Sequence, residues 1–258
     1  MVVGAIGGRT ELAIIGAGPG GYVAALRAAD AGLEVTLIEQ SSLGGTCLNV
    51  GCIPSKALIE LASTRYRAIS AAAAGLDATI EVDMGAIRSH LRSVVVPLQR
   101  GVATLLADAG VTVINGTAYF ARSDRLSIES GDQVSHLEFD NAIVATGSRA
   151  VELDAFPLGE RIVDSTGALA MARLPPSAVV LGAGYIGVEL GTAWAKLGCA
   201  VTLVDAADSI LPAMDSELTR PVERQLATLG VDIITGVTAT AATPRASSFR
   251  TVVQSRRM

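Results

Sequence analysis

One pattern occurs twice in this chain and limits what it can fold into. Residues 11–15 (ELAII) form an apolar run that enters Gly16-Ala17-Gly18-Pro19-Gly20-Gly21. A helical pattern over 22–31 follows, Gly32 closes it, and a second apolar run at 35–38 ends at Glu39. Much later, 178–181 leads into Gly182-Ala183-Gly184-Tyr185-Ile186-Gly187, a helix reaching about Leu197, and a run at 200–204 that ends at Asp205. Gly16 to Glu39 spans 23 positions, and so does Gly182 to Asp205. Each copy reads as strand, glycine turn, helix, strand. The glycines allow a tight turn and close backbone approach to a pyrophosphate. The helix start faces that anion, and the acid ending the second strand accepts from ribose hydroxyls. A chain with two such units is built to hold two dinucleotides.

The second acid bears on which dinucleotide. A carboxylate at Asp205 accepts a 2′-hydroxyl and repels a 2′-phosphate, which favours NAD over NADP. The nearest basic residue downstream is Arg220, too far along the chain for a local phosphate clamp.

Between the two units lies residues 44–56, GGTCLNVGCIPSK, with Cys47 and Cys52 five positions apart. In a regular α-helix such residues are about 7.5 Å apart along the axis and about 140° apart around it. A disulfide needs Cα atoms within about 7 Å. Gly51 loosens the backbone between the cysteines, and Pro54 cannot donate to the carbonyl of Val50. The segment therefore permits the distortion a bridge requires. With Thr46 as N-cap, Cys47 falls in a first helical turn, where unpaired backbone N–H groups lower a thiol pKa. The open readings are a redox pair, half of a zinc site, or two buried thiols. Zinc needs two more ligands. The remaining Cys199, His90 and His136 are widely scattered, so no metal is expected.

GGTCLNVGCIPSK closely resembles the active-site segment of the flavin-linked disulfide reductases, and Leu48, Ile53 and Ser55 make it most similar to the dihydrolipoamide dehydrogenases. The resemblance runs from about residue 11 to 237. It implies FAD on the first turn, held by Gly16, Gly18, Pro19, Gly21 and Glu39, with Gly45, Thr46 and the Thr146-Gly147-Ser148 segment beside it. It implies an ion pair of Lys56 and Glu189 near the flavin ring. It implies NAD on Gly182, Gly184, Gly187 and Asp205, with Tyr185 covering the nicotinamide pocket. Cys47–Cys52 is then the redox disulfide, Cys47 exchanging with substrate and Cys52 facing the flavin. The implied activity is oxidation of dihydrolipoamide carried on the acyltransferase component of a 2-oxo acid dehydrogenase complex, by a homodimer. The family's general base is a histidine paired with a glutamate in a C-terminal domain, and neither His90 nor His136 lies in a matching motif. Two alternatives stand beside this reading: a catalytically inactive FAD-binding fragment, and a relative of the glutathione or mercuric reductases.

The rest of the chain reads as follows. An Ala-rich helix covers 57–74. Asp83 caps a second helix reaching about 109, which Pro97 should kink or break. VTVI, GTAYF, RLSIES and QVSHLEF between 111 and 140 read as an antiparallel meander. A connection at 151–176 holds a short helix near 166–172. A helix at 215–229 and a strand at 231–234 follow. No acidic residue occurs after Asp232, and the final TPRASSFRTVVQSRRM carries four arginines without a clear period. The expected fold is α/β: two Rossmann-like units with parallel sheets and a small antiparallel meander, the second incomplete. Residues 1–150 are the FAD-binding domain, 151–237 a partial NAD-binding domain, and 238–258 an atypical basic tail. Two expectations stand for the tail and the family's C-terminal dimerisation domain: a frameshift or premature stop, or a naturally short variant with a solvated basic tail. An incomplete sheet predicts poor solubility.

Composition narrows the function classes. Half of the 258 residues are apolar, enough for a sizeable core, and the net charge is −5 with 3% aromatics, which disfavours nucleic-acid binding. The longest apolar runs are broken by Arg27 or Glu189, so no membrane span is expected. The N-terminus lacks a secretory pattern. Three cysteines do not make a secreted disulfide scaffold and fit a reducing cytoplasm, with Cys199 as a small buried apolar residue.

Overall fold

The computed structural model describes residues 8–241 and 250–254. It divides into two compact units: one runs to Ile53 and resumes over Ser93–Ser148, and the other comprises Pro54–Arg92 and the chain from Arg149 on.

The first unit opens with β1 (Arg9–Ile15), α1 (Pro19–Asp30) and β2 (Val35–Glu39). Alternate residues of β1 enter opposite faces of the sheet, as strand geometry requires. Leu12 and Ile14 share one core with Val35, Leu37, Ala25, Val102 and Leu106. Ala13 and Ile15 share another with Ile38, Leu126, Ile128, Leu137 and Phe139. Burial on both faces explains why this strand reads as a continuous apolar run. The short α2 (Gly45–Val50) and the first residues of α3 (Cys52–Ser70) follow.

The unit resumes within α4 (Met84–Asp108), whose start is capped by Asp83 Oδ1 accepting from the N–H groups of Gly85 and Ala86 at 2.8 and 3.1 Å. Of the kink or break expected at Pro97, the break does not occur: one helix passes through it, and Val95, Val102 and Leu106 pack on the same core on either side. Four strands follow, β3 (Thr112–Asn115), β4 (Thr117–Arg122), β5 (Arg125–Ser130) and β6 (Gln133–Val144), giving the order β3-β2-β1-β6-β5-β4. Two expectations need correction here. VTVI belongs to the parallel sheet, with Thr36 paired to Thr112, because a helical crossover separates β2 from β3. The meander is β4–β6 alone. Moreover QVSHLEF and NAIV are one strand of 12 residues, β6, which pairs antiparallel with β5 and then parallel with β1 as far as Ile15–Val144.

The second unit contains β7 (Ile162–Asp164), α5 (Ser165–Leu169), β8 (Ser177–Leu181), α6 (Tyr185–Leu197), β9 (Ala200–Val204), α7 (Ser216–Thr228), β10 (Asp232–Ile234) and β11 (Arg250–Gln254). Its five strands run β10-β9-β8-β11-β7, and every pairing is parallel. The tail read as aperiodic therefore contributes a strand. The run Thr251-Val252-Val253 carries β-branched residues suited to it, and β11 stands beside β8 as β6 stands beside β1. The rest of the tail, 242–249 and 255–258, lies outside the described residues.

The core of this unit joins Ala178, Val180, Val201 and Leu203 to Leu190, Ala193, Trp194 and Leu197 of α6. Leu58 and Ala62 of α3 and Met84 and Leu91 of α4 belong to the same core. Residues 54–92 are thus grouped with the second unit, where the contiguous 1–150 division puts them in the first. Among the described residues no helix is long and apolar enough to cross a membrane.

Candidate functional site

Three segments of the first unit meet at its glycine turn. Gly16 donates its N–H to Ile38 O at 2.8 Å and has φ +99°, and a Cβ there would lie 2.4 Å from Ala145 O. A Cβ on Gly21 would lie 1.8 Å from Gly16 O. The protein's own backbone demands these two glycines. Gly18 differs. Its backbone is extended (φ −68°, ψ −178°), and a Cβ would meet only Gly45 Cα, at 3.9 Å. Internal packing does not require glycine at this position, whose bare backbone leaves room for a ligand at the start of α1, with Pro19 in the first turn. Glu39 is 7% exposed. Its Oε2 accepts from Ala17 N–H at 2.7 Å, and its Oε1 accepts from the N–H and Oγ of Ser41 at 2.8 and 3.0 Å. A carboxylate has about four acceptor positions, so one is left for a hydroxyl.

The second segment carries the cysteines. Gly44 (φ +91°) donates to Ala17 O at 2.8 Å, and a Cβ on Gly45 (φ +58°) would lie 2.5 Å from Gly18 Cα. Helix α2 therefore starts against the turn itself. Its N-cap is Gly44, and Thr46 lies inside the helix, which corrects the cap expected from the sequence. The left-handed Gly44–Gly45 pair turns the chain before Thr46 is reached. Asn49, which the sequence reading passed over, donates from Nδ2 to the carbonyls of Leu43 and Gly45, both at 2.9 Å, and holds this loop shut. Its only signal was one amide among apolar neighbours. At Gly51 the helix ends, and a Cβ there would lie 2.8 Å from Thr46 O and 3.2 Å from Cys47 Cα. The chain folds back against Cys47 and starts α3 at Cys52, with Pro54 in the first turn, where a missing N–H costs nothing. Cys47 is half-buried and Cys52 exposed. The third segment follows β6: Ala145 donates to Ile15 O at 2.8 Å, Ala145 and Thr146 lie against Gly16, and Thr146, Gly147 and Ser148 are exposed.

The second unit repeats the turn. Gly182 (φ +99°) donates to Val204 O at 2.7 Å, a Cβ on Gly187 would lie 1.9 Å from Gly182 O, and one on Gly184 would meet nothing within 4 Å. Asp205 Oδ2 accepts from Ala183 N–H at 2.6 Å and Oδ1 from Ala207 N–H at 2.8 Å. Tyr185 opens α6 and is exposed. One turn on, Glu189 accepts from Lys56 Nζ through both oxygens at 2.8 Å. Leu211, with φ +48°, donates to Ala183 O at 2.8 Å, the counterpart of Gly44.

Cys199 lies apart from this chemistry. It is 4% exposed, and burial pushes its thiol up to about 11. His90 is exposed on α4, and His136 on β6 has a buried Nδ1 without a hydrogen-bond partner. Among the described residues no three His, Cys, Asp or Glu side chains gather as a metal site.

Comparison with known proteins bears on this arrangement. The dihydrolipoyl dehydrogenase of Geobacillus stearothermophilus is 44% identical over 247 residues, covering 95% of this chain and 52% of the relative. That of Halobacterium salinarum is 46% identical over 243 residues, covering 93% and 51%. The chain thus spans about half the length of the curated relatives it matches. Among solved structures, LpdA of Mycobacterium tuberculosis superimposes with a TM-score of 0.84 at 28% identity, over 92% of this chain and 54% of that one. The HOCl-induced flavoprotein disulfide reductase RclA of Escherichia coli, as its Cu(II) complex, gives 0.83 at 28% identity, over 96% and 56%. A family model described as pyridine nucleotide-disulphide oxidoreductase matches residues 10–257. Both glycine turns and the intervening dithiol fall inside that span, and the chain belongs to the pyridine nucleotide-disulphide oxidoreductase family.

Proposed function

We propose that the chain is the nucleotide- and dithiol-bearing part of a flavin-dependent disulfide oxidoreductase of the dihydrolipoyl dehydrogenase type, with NAD as acceptor. The observation that carries this is the packing of the dithiol helix onto the first nucleotide turn, Gly45 against Gly18. In this reading residues 1–150 bind FAD through Gly16, Gly18, Pro19, Gly21, Glu39, Gly45, Thr46 and the Thr146-Gly147-Ser148 segment. Residues 151–237 bind NAD through Gly182, Gly184, Gly187, Tyr185 and Asp205. Lys56 and Glu189 are the ion pair that the family resemblance assigns to the flavin. The spare middle glycines and the acids with free acceptor positions fit both groups.

The reaction at sulfur is thiol–disulfide exchange. A thiolate of protein-bound dihydrolipoamide attacks Cys47 Sγ, the Cys47–Cys52 bond breaks, and Cys52 leaves as thiolate. The second substrate thiolate displaces Cys47 and closes the substrate's own disulfide. Two electrons reach the cysteine pair, one proton goes to Cys47 and one to solvent. When bound, FAD would supply the two-electron acceptor for the reduced cysteine pair, and NAD the final acceptor. Lys56 holds positive charge, and Glu189 holds Lys56. The acyltransferase component of a 2-oxo acid dehydrogenase complex is the proposed partner, a homodimer the proposed assembly, and the cytoplasm the proposed location.

A second reading, FAD binding without turnover, is favoured by the histidines: neither the exposed His90 nor the strand residue His136 falls in the family's base motif. The visible spectrum of the purified chain with FAD tests the first step. Bound flavin whose spectrum gains a long-wavelength band on dithiol addition, lost in Cys52→Ser, is the expected result. A colourless protein after gel filtration overturns nucleotide binding. Lipoamide-dependent NADH formation then separates the two readings.

A further inference from the structure

The chain has 20 basic residues, and only two of them are lysines, Lys56 and Lys196. Both tie α3 to α6 within the second unit. Lys56 Nζ donates to both oxygens of Glu189 at 2.8 Å. Lys196 Nζ, in the last turn of α6, donates to Ser63 Oγ at 3.0 Å. The two rungs have the same sequence separation, 133 residues. The helices therefore run parallel, and the rungs stand seven residues apart on each, about 10.5 Å along the axis.

A third contact closes the far end. Arg65 Nη1 donates to Lys196 O at 2.7 Å, its guanidinium faces the left-handed C-cap Gly198 (φ +106°), and its Nε is buried. A cation on the last carbonyls of a helix satisfies groups that have no partner within it. Leu58 and Ala62 of α3 and Leu190 and Ala193 of α6, which lie between the rungs in sequence, belong to one apolar core. Apolar contact is non-directional and does not by itself fix how far one helix slides along another. The Lys56–Glu189 rung cannot fix it either. Lys56 is 56% exposed, and exposed ion pairs are weak. A slip of one residue moves Lys56 by about 1.5 Å and turns it by about 100° away from Glu189.

We infer that Arg65, with the Ser63–Lys196 rung, locks the axial register of α3 on α6 and thereby positions Lys56 against Glu189. Arg65 is a positioning residue for the pair that the proposed function assigns to the flavin. Only that last assignment rests on the proposed function, because the lock itself is a contact among side chains of one unit.

The scarcity of lysine makes a direct test simple. The chain is treated with an amine-acylating reagent at graded pH without flavin, and modification of Lys56 is followed by peptide mass spectrometry. Arg65→Ala should speed Lys56 acylation about two- to fivefold, the range an exposed ion pair supports. Arg65→Lys, which can still reach the carbonyl, should restore the slow rate. In a Glu189→Gln background, where Lys56 has no carboxylate partner, Arg65→Ala should add nothing. An unchanged rate in Arg65→Ala, or an equal increase in the Glu189→Gln background, overturns the inference. If Arg65→Ala fails to fold, Ser63→Ala takes its place with the same two criteria. In flavin-loaded protein the ratio of reduced to oxidised flavin at fixed solution potential should move in Arg65→Ala in the same direction as in Lys56→Ala. Absence of flavin binding would defeat the proposed function and leave the acylation result to decide the lock.

Discussion

The glycine turns of the two units share a plan and differ in what leans on them. Gly16 and Gly182 both have φ +99°, their N–H groups donate to Ile38 O and Val204 O at 2.8 and 2.7 Å, and a Cβ on the third glycines, Gly21 and Gly187, would lie 1.8 and 1.9 Å from a carbonyl oxygen. These features let a strand become a helix within a few residues, so they coincide. Beyond them the units part. Gly45 lies over Gly18, while nothing lies within 4 Å of where a Cβ on Gly184 would point. Glu39 is buried and accepts three hydrogen bonds, and Asp205 is half-buried and accepts two. What the backbone needs in order to turn is duplicated, and what would face a ligand is not. In the proposed assignment the covered turn belongs to a nucleotide that stays and the open one to a nucleotide that exchanges.

The loop after the second strand repeats this lesson. Gly44 and Leu211 make the same hydrogen bond, to Ala17 O and Ala183 O, both at 2.8 Å. Gly44 does so at φ +91°, and a Cβ there would lie 2.6 Å from Leu48 Cδ1, so a side chain is excluded. Leu211 does so at φ +48°, inside the left-handed region that a side chain can enter at modest cost. It also sinks into the core of its unit, at 8% exposure. In the first unit the loop brings α2 onto the turn, and in the second it carries a core residue.

The largest expected effect tests the shared part. Gly21→Ala and Gly187→Ala each force a methyl into a carbonyl oxygen and should each cost about 3 kcal/mol or more in urea-induced unfolding. Near-equal losses support a common backbone requirement, and tolerance at either position breaks the comparison at its root. The next effect concerns the second unit alone. The folded state keeps the Cys199 proton that the unfolded chain gives up near 9.0, because burial raises this thiol to about 11. Its contribution is therefore fully present below about pH 9 and is lost as pH climbs towards 11. The loss is about 2–3 kcal/mol, and Cys199→Ala should flatten that part of the stability–pH curve.

Much of this was legible because it is written locally. The positions of 16–39 and 182–205 follow from glycine spacing and apolar runs, and the cap at Asp83 from its place before a helical pattern. What was not legible depends on the tertiary structure. Thr46 looked like an N-cap by residue type, but two left-handed glycines before it start the helix earlier. Asn49 looked like any polar residue in a short helix until Leu43 folded back on it. β7 is three residues long, too short for a period, and β11 sits in an arginine-bearing tail that masks its β-branched run. Leu211 has a left-handed backbone that no property of leucine announces. The grouping of 54–92 with the second unit follows from which core Leu58 and Ala62 enter, and any Ala-rich amphipathic helix offers several.

A smaller effect separates the two acids. Glu39→Ala leaves the N–H groups of Ala17 and Ser41 without their carboxylate, and Asp205→Ala leaves those of Ala183 and Ala207. The costs should be about 2 kcal/mol at the buried site and about 1 kcal/mol at the half-buried one, where water can replace the acid. Denaturant melts of the two variants measure both. A reversed order would mean that the second turn, not the first, depends more on its acid.

The smallest effect on stability divides folding from binding. Gly18→Ala and Gly184→Ala place a methyl on extended backbone, 3.9 Å from Gly45 Cα in one case and in open space in the other. Each should change unfolding stability by no more than about 0.5 kcal/mol. If the middle glycines exist to let a pyrophosphate approach, FAD affinity should fall in Gly18→Ala and NAD affinity in Gly184→Ala, each at least about tenfold, a loss of about 1.4 kcal/mol. Gly45 over Gly18 predicts an asymmetry as well. The methyl of Gly18→Ala has the α2 loop beside it and should slow FAD association, whereas that of Gly184→Ala meets only the ligand and should act on NAD dissociation. Stopped-flow binding of each nucleotide to each variant reads this directly. Unchanged affinity with unchanged stability would leave the middle glycines without a role in either process, and the dinucleotide reading of both turns would lose its physical basis.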